Sequence, residues 1–147
     1  MKIHQLSLFL ENQPGRLKAP CKVLADAGID IVTLALADTQ QFGILRLIVK
    51  DWQRARAVLE AAGSVVNVTE VLAIEVGDRP GGLLAVLDVL DRAGLDIEYM
   101  YAFTAGPRTR RATLVFRFED PDAAIPVLAE HGVNVVGHAD LFERVRQ

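Results

Sequence analysis

Asn12-Gln13-Pro14-Gly15-Arg16-Leu17 returns 66 residues later as Asp78-Arg79-Pro80-Gly81-Gly82-Leu83. With that offset held, ten of the twenty positions 12 to 31 are identical to positions 78 to 97: Pro14/Pro80, Gly15/Gly81, Leu17/Leu83, Ala19/Ala85, Val23/Val89, Leu24/Leu90, Ala27/Ala93, Gly28/Gly94, Asp30/Asp96 and Ile31/Ile97. Turn residues and apolar residues recur together, which marks a duplicated folding unit. A period-two alternation precedes each bend, with Leu6, Leu8 and Leu10 on one face of the first strand and Leu72, Ile74 and Val76 on its counterpart.

Leu17, Cys21, Leu24 and Ala27 follow at helical spacing and recur as Leu83, Leu87, Leu90 and Ala93. The stripe predicts a helix opened by each Pro-Gly pair, with Cys21 as a buried stand-in for Leu87. Asn12 and Asp78 are placed to cap that helix or close an Asx turn, and Gly28 and Gly94 to end it. A second strand then starts at Asp30 or Asp96, and a hairpin leads to a third at Phe42–Val49 or Ala112–Phe118. Asp51 and Asp120 read as N-caps of a second helix, which Gly63 and Gly132 stop. A fourth strand, near 65–69 and 133–137, completes βαββαβ twice. The fold class is therefore α+β: two ferredoxin-like βαββαβ units, residues 1–70 and 71–147, each an antiparallel sheet with helices on one face. Ser7, Phe9, Ile44, Arg46 and Ile48 fall on the other face, apolar enough to predict association between the halves or between chains. Pro20 and Pro126 fall inside predicted helices and read as a kink or a late start.

Composition narrows the function. The 147 residues are 51% hydrophobic and 24% charged with a net charge of -3, a packed globular chain without general attraction to nucleic acid or anionic membrane. The apolar run Leu6 to Leu10 is too short for a membrane span and Glu11 ends it, so a cytoplasmic protein is expected. One cysteine excludes an internal disulfide and a CxxC site, and His4, His131 and His138 lack metal-ligand spacing. No catalytic residue, metal or cofactor is expected, because no Ser/His/Asp, Cys/His or acid-base constellation is evident. Arg108, Arg110 and Arg111 read as a solvated hairpin, and Tyr99, Tyr101 and Phe103 as a core or interface stripe.

The bend itself offers chemistry. Proline fixes the first turn, and glycine leaves the N-H groups of a helix start open to a small carboxylate or phosphate. D/N-x-P-G-x-L after the first strand, followed by Ala-Gly-Ile/Leu-Asp-Ile at the second, resembles the ACT domain, the amino-acid-sensing module of many enzymes of amino-acid metabolism. The resemblance covers residues 3 to about 70 and 71 to about 143 and implies a stand-alone tandem ACT protein with no catalytic domain.

It also implies a ligand site at Asn12, Gln13, Pro14, Gly15, Arg16 and Leu17, and another at Asp78, Arg79, Pro80, Gly81, Gly82 and Leu83. Each turn would face the start of the partner unit's second strand. That strand opens on Asp30 or Asp96, where relatives that sense serine often have asparagine, and aspartate suits an ammonium group. Amides at Gly15-Arg16-Leu17 would then hold a carboxylate with Asp96 on the ammonium, and Gly81-Gly82-Leu83 would act with Asp30. Asp78 would repel a carboxylate that Asn12 tolerates, so the first site is expected to bind tighter.

The implied function is allosteric control of an amino-acid metabolism enzyme or pathway, by a branched-chain or aromatic amino acid, through a homo-oligomer or an enzyme partner. The alternative is an ACT-fold interaction scaffold without ligand. A small ferredoxin-like enzyme and an RNA-binding module are the remaining rivals, the latter keeping only Phe116 and Phe118 as possible stacking rings.

Overall fold

In a computed structural model describing residues 1–38, 40–104 and 109–144, the chain divides into two compact units. The first is His4–Thr69, and the second joins Met1–Ile3 to the residues from Glu70 onward. The first unit contains β1 (Ile3–Glu11), α1 (Lys18–Asp26), β2 (Ile31–Asp38), β3 (Phe42–Val49), α2 (Trp52–Ala61) and the opening of β4 (Val66–Gly77). Its strands run in the order β2-β3-β1-β4, and both β1 and β2 lie antiparallel to β3. The second unit contains the rest of β4, α3 (Gly82–Arg92), β5 (Ile97–Thr104), β6 (Arg111–Phe118), α4 (Pro121–Glu130), β7 (Asn134–Val136) and α5 (His138–Arg144). Its order, β5-β6-β4-β7, repeats that of the first with every pair antiparallel. Both units are ferredoxin-like βαββαβ.

The cores follow the alternation. Leu6, Leu8, Leu45 and Leu47 pack with Leu24 of α1 and Leu59 of α2, and Leu72, Ile74, Leu114 and Phe116 with Leu90 of α3 and Leu128 of α4. Each fully buried aliphatic side chain contributes about 1.5–3 kcal/mol relative to exposure. Phe118 is buried in the same core as Phe116, so neither ring is available to stack on a base.

Helix ends obey simple rules. Asp51 and Asp120 accept from the Arg54 and Ala123 amides, both at 3.1 Å, the N-caps expected. All four of these helices close with the same six-to-one bond, Ile29 N-H to Leu24, Ser64 to Leu59, Leu95 to Leu90 and Val133 to Leu128, at 2.9–3.0 Å.

The helix starts depart from expectation. α3 begins at Gly82, but α1 begins only at Lys18, two residues later in the repeat frame. Pro20 is the cause. Ala19 still donates to the Gly15 carbonyl, as Ala85 does to Gly81, but Pro20 has no N-H to give Arg16 and the first turn cannot propagate from there. The ring is itself buried, in the place Val86 fills in α3, so Pro20 is a core residue inside a first turn. Leu17 and Leu83, expected on the buried stripe, stay about 40% exposed because they stand at the turn ahead of the core contacts. Cys21 is half-buried rather than enclosed. Pro126 lies on the exposed side of α4, where the Asp122 carbonyl that loses its partner can face water.

One element was not foreseen. α5 buries Leu141 and Phe142, and its Arg144 pairs with Glu75. Glu75 alternates with Val71 and Ala73 on the face of β4 away from α3 and α4, so α5 lies against that second face. Glu75 is only 13% exposed and also takes Arg111 at 3.2 Å and Asn134 at 3.1 Å. In the first unit Ile48 on the corresponding face is buried, while Phe9 is 59% exposed.

At the chain start, Lys2 reaches Glu70 at 2.6 Å and Asp122 at 3.1 Å. The Glu70 hydrogen bond, then that of Asp122, raises the Lys2 pKa above its usual 10.5. A raised lysine stabilises the fold fully below its unfolded pKa and loses that contribution as pH climbs through the folded one. Lys2→Met should therefore lower stability at neutral pH, and the gap to the unsubstituted chain should close above about pH 10.5 in urea titrations.

A Cβ on Gly82 would lie 2.2 Å from the Gly77 carbonyl oxygen, a backbone atom that cannot swing aside. Gly82→Ala should cost about 1–3 kcal/mol, whereas Arg16→Ala at the equivalent exposed position should stay within about 0.5 kcal/mol. Chemical denaturation midpoints of the two variants test the contrast.

Candidate ligand-binding turn

The two bends are the same object in main-chain terms. Gly15 and Gly81 adopt left-handed φ values of 84° and 87°, which a Cβ would strain. Arg16 N-H donates to Gln13 at 3.2 Å and Gly82 to Arg79 at 3.1 Å. Asn12 N-H donates across to Gln41 of the hairpin at 3.1 Å, and Asp78 to Arg110 at 2.8 Å. This network occupies the Arg16 and Gly82 amides, two of those expected to hold a ligand carboxylate. The expected caps are also absent: the N-cap positions are Leu17 and Gly81, and neither helix receives a side-chain cap from Asn12 or Asp78.

Side chains set the two bends apart. In the first, Arg16 Nη2 meets Glu11 Oε2 at 3.2 Å, with both side chains about half exposed at 55% and 54%. In the second the same positions are Gly82 and Gly77, in backbone contact, and Arg79 folds so that a Cβ on Gly77 would sit 3.2 Å from its Nε. Beside the first bend lies a recess of about 80 Å³. Its charged and polar rim is Glu11, Asn12, Gln13 and Arg16, and its apolar wall is Leu10, Leu17, Leu36 and Gly43. Leu36 is 48% exposed and lies over Gly43, where a Cβ would meet its Cδ1 at 3.2 Å.

Of the residues expected at a site, the structure gathers Asn12, Arg16 and Leu17 at this recess, with Pro14 and Gly15 forming the bend between them. Asp78, Pro80, Gly81, Gly82 and Leu83 form the second bend. Within each unit Asp30 and Asp96 stand beyond the far end of α1 or α3, separated from the bend by a helix of nine or eleven residues, roughly 14–17 Å long. Both are exposed, and neither has a hydrogen-bond or ion-pair partner among the described residues. Sequence reading missed Glu11, Leu36 and Gly43. Glu11 was detectable, because positions 11 and 16 carry opposite charges in the first copy and are both glycine in the second.

Other groups have structural partners. His4 stacks on Trp52 at 4.6 Å, His138 packs edge-on to Phe142, and His131 Nδ1 hydrogen-bonds the Val127 carbonyl. Arg111 binds Glu75, Arg110 supplies a carbonyl to Asp78, and Arg108 lies outside the described residues. Among the described residues no group of three His, Cys, Asp or Glu side chains could hold a metal ion, and no helix is long and apolar enough to cross a membrane.

Comparison with known proteins agrees with the fold. Protein BT0572 from Bacteroides thetaiotaomicron is similar at 39% identity and a TM-score of 0.89, over 97% of this chain and 96% of that one. The ligand-free regulatory subunit of aspartate kinase from Thermus thermophilus shares the fold at 18% identity and a TM-score of 0.63, over 88% and 93% of the two chains. Aspartate kinase from Synechocystis does so at 22% and 0.59, over 91% of this chain and 26% of that larger one. Among curated proteins none matches. The ACT domain pair family matches residues 1–145, and with two βαββαβ units opened by one duplicated bend the chain belongs to that family.

Proposed function

We propose that this protein is a regulatory amino-acid sensor whose first bend is the principal ligand site. The observation that carries the reading is the open recess beside Pro14-Gly15, which has charge at its rim and aliphatic side chains within. The residues proposed to contact ligand are Asn12, Pro14, Gly15, Arg16 and Leu17, and more weakly Asp78, Pro80, Gly81, Gly82 and Leu83. A ligand ammonium needs a carboxylate, and Glu11, Asp30 and Asp96 are the exposed candidates. Fold likeness to regulatory subunits of aspartate kinase supports a role in amino-acid metabolism, exerted from the cytoplasm on a partner enzyme or through self-association. Occupancy regulates only if affinity differs between two association states.

The second bend is the poorer site on two counts. Asp78 places a negative charge beside it, and Gly82 is packed on the Gly77 carbonyl. Thermal-shift measurements against the twenty amino acids should find a specific ligand, with about 2.7 kcal/mol of stabilisation at 100 times its dissociation constant. Calorimetry should then show one dominant site. Two equivalent sites would remove the ranking, and a flat response to all twenty would leave the interaction scaffold as the better reading.

A further inference from the structure

A carboxylate gripped by three separate elements is a structural joint, and Glu75 is gripped in that way. It alternates with the buried Val71 and Ala73 on the face of β4 away from α3 and α4, with 13% of its side chain exposed. Arg111 of β6 meets its Oε1 at 3.2 Å, Asn134 of β7 donates to the same oxygen at 3.1 Å, and Arg144 of α5 holds Oε2.

α5 needs that joint. Seven residues are too few to hold a helix in water, so α5 is helical only while docked, and its docking and folding are a single event. Leu141, Phe142 and the Arg144 guanidinium dock it. Gly137, whose carbonyl takes the Leu141 N-H at 3.0 Å, joins it directly to the three-residue β7. Burial of two side chains is thus set against the ordering of seven residues, and the ion pair tips the balance toward the docked state.

The first unit supplies the control. Register superposes Phe9 on Glu75 and Phe42 on Arg111: Phe9 pairs with Ile44 and Glu11 with Phe42, as Glu75 pairs with Thr113 and Gly77 with Arg111. In that unit β4 runs on without a break and no helix follows it, and both phenylalanines are more than half exposed. The charged cluster therefore stands in the unit that has the extra helix, and aromatic rings replace it in the unit that lacks one.

We infer that α5 is a detachable strap over the second sheet face of its unit, with Glu75 as the latch. The strap opens at Gly137 as one piece while α3, α4 and the core between them stay folded, and opening bares Leu141, Phe142 and the Glu75 face of β4. Arg111 ties the latch to the second bend, because the preceding residue, Arg110, takes the Asp78 N-H on its carbonyl at 2.8 Å. The strap does not depend on the sensing function proposed above.

Hydrogen exchange on the full chain, followed by NMR at rising sub-denaturing urea, tests the strap. The amides of Leu141 to Arg144 should exchange about a hundredfold or more faster than those in the middle of α4, with little dependence on urea, because a local opening exposes little surface. Glu75→Gln and Arg144→Gln should speed those amides about tenfold further and leave α4 unchanged, whereas Arg144→Lys, which keeps the ion pair, should stay near the unsubstituted rate. Exchange of α5 at the rate and urea dependence of α4, glutamine variants that shift both helices alike, or a local opening indifferent to both glutamine variants overturns the inference.

Discussion

A left-handed glycine following a proline is the constraint on which each unit depends. At Gly15 and Gly81 the chain leaves a strand and enters a helix within a few residues, and only a positive φ makes that reversal without a long loop. The reversal lays α1 and α3 back across their own sheets, where Leu24 and Leu90 close the cores. It also leaves a helix start facing the hairpin, tied to it by the Asn12 and Asp78 amides. Fold and candidate site are consequences of one piece of backbone geometry.

On that shared backbone the copies have diverged in a correlated way. A side chain at position 82 is forbidden by the Gly77 carbonyl, so the second bend is compact by necessity. Position 16 carries arginine, and its guanidinium meets the Glu11 carboxylate at 3.2 Å. Duplication therefore supplied two frames whose bends differ in their side chains, Glu11 and Arg16 in the first and Gly77 and Gly82 in the second.

The elements were readable in the sequence because the same signals appear twice. Apolar alternation, the Pro-Gly bend, aspartate N-caps and terminal glycines are local, and a local signal survives without knowledge of the partner it packs against. Less legible features depend on what meets in space. Helical spacing placed Leu17 in the core, but Pro20 delays the helix and takes the buried position itself. α5 is seven residues long, too short to show a period, and is held through Glu75 from a distant strand. Leu36 and Gly43 become neighbours of the bend only through sheet register. Asn12 and Asp78 were legible as positions but not as contacts, since neither side chain caps the helix that follows it.

Absence of those local bonds bears on regulation. A carboxylate or amide that satisfies its own backbone has little to offer a ligand, because binding would exchange one hydrogen bond for another. Glu11 and Arg16 are instead matched to each other in an exposed pair that water already weakens. Such a pair stays soluble and costs little to open, yet its two charges are held ready at fixed spacing on the last residue of a strand and the turn before a helix. Those two elements are joined by the bend and also packed together in the core, through Leu6 and Leu8 of β1 and Leu24 of α1.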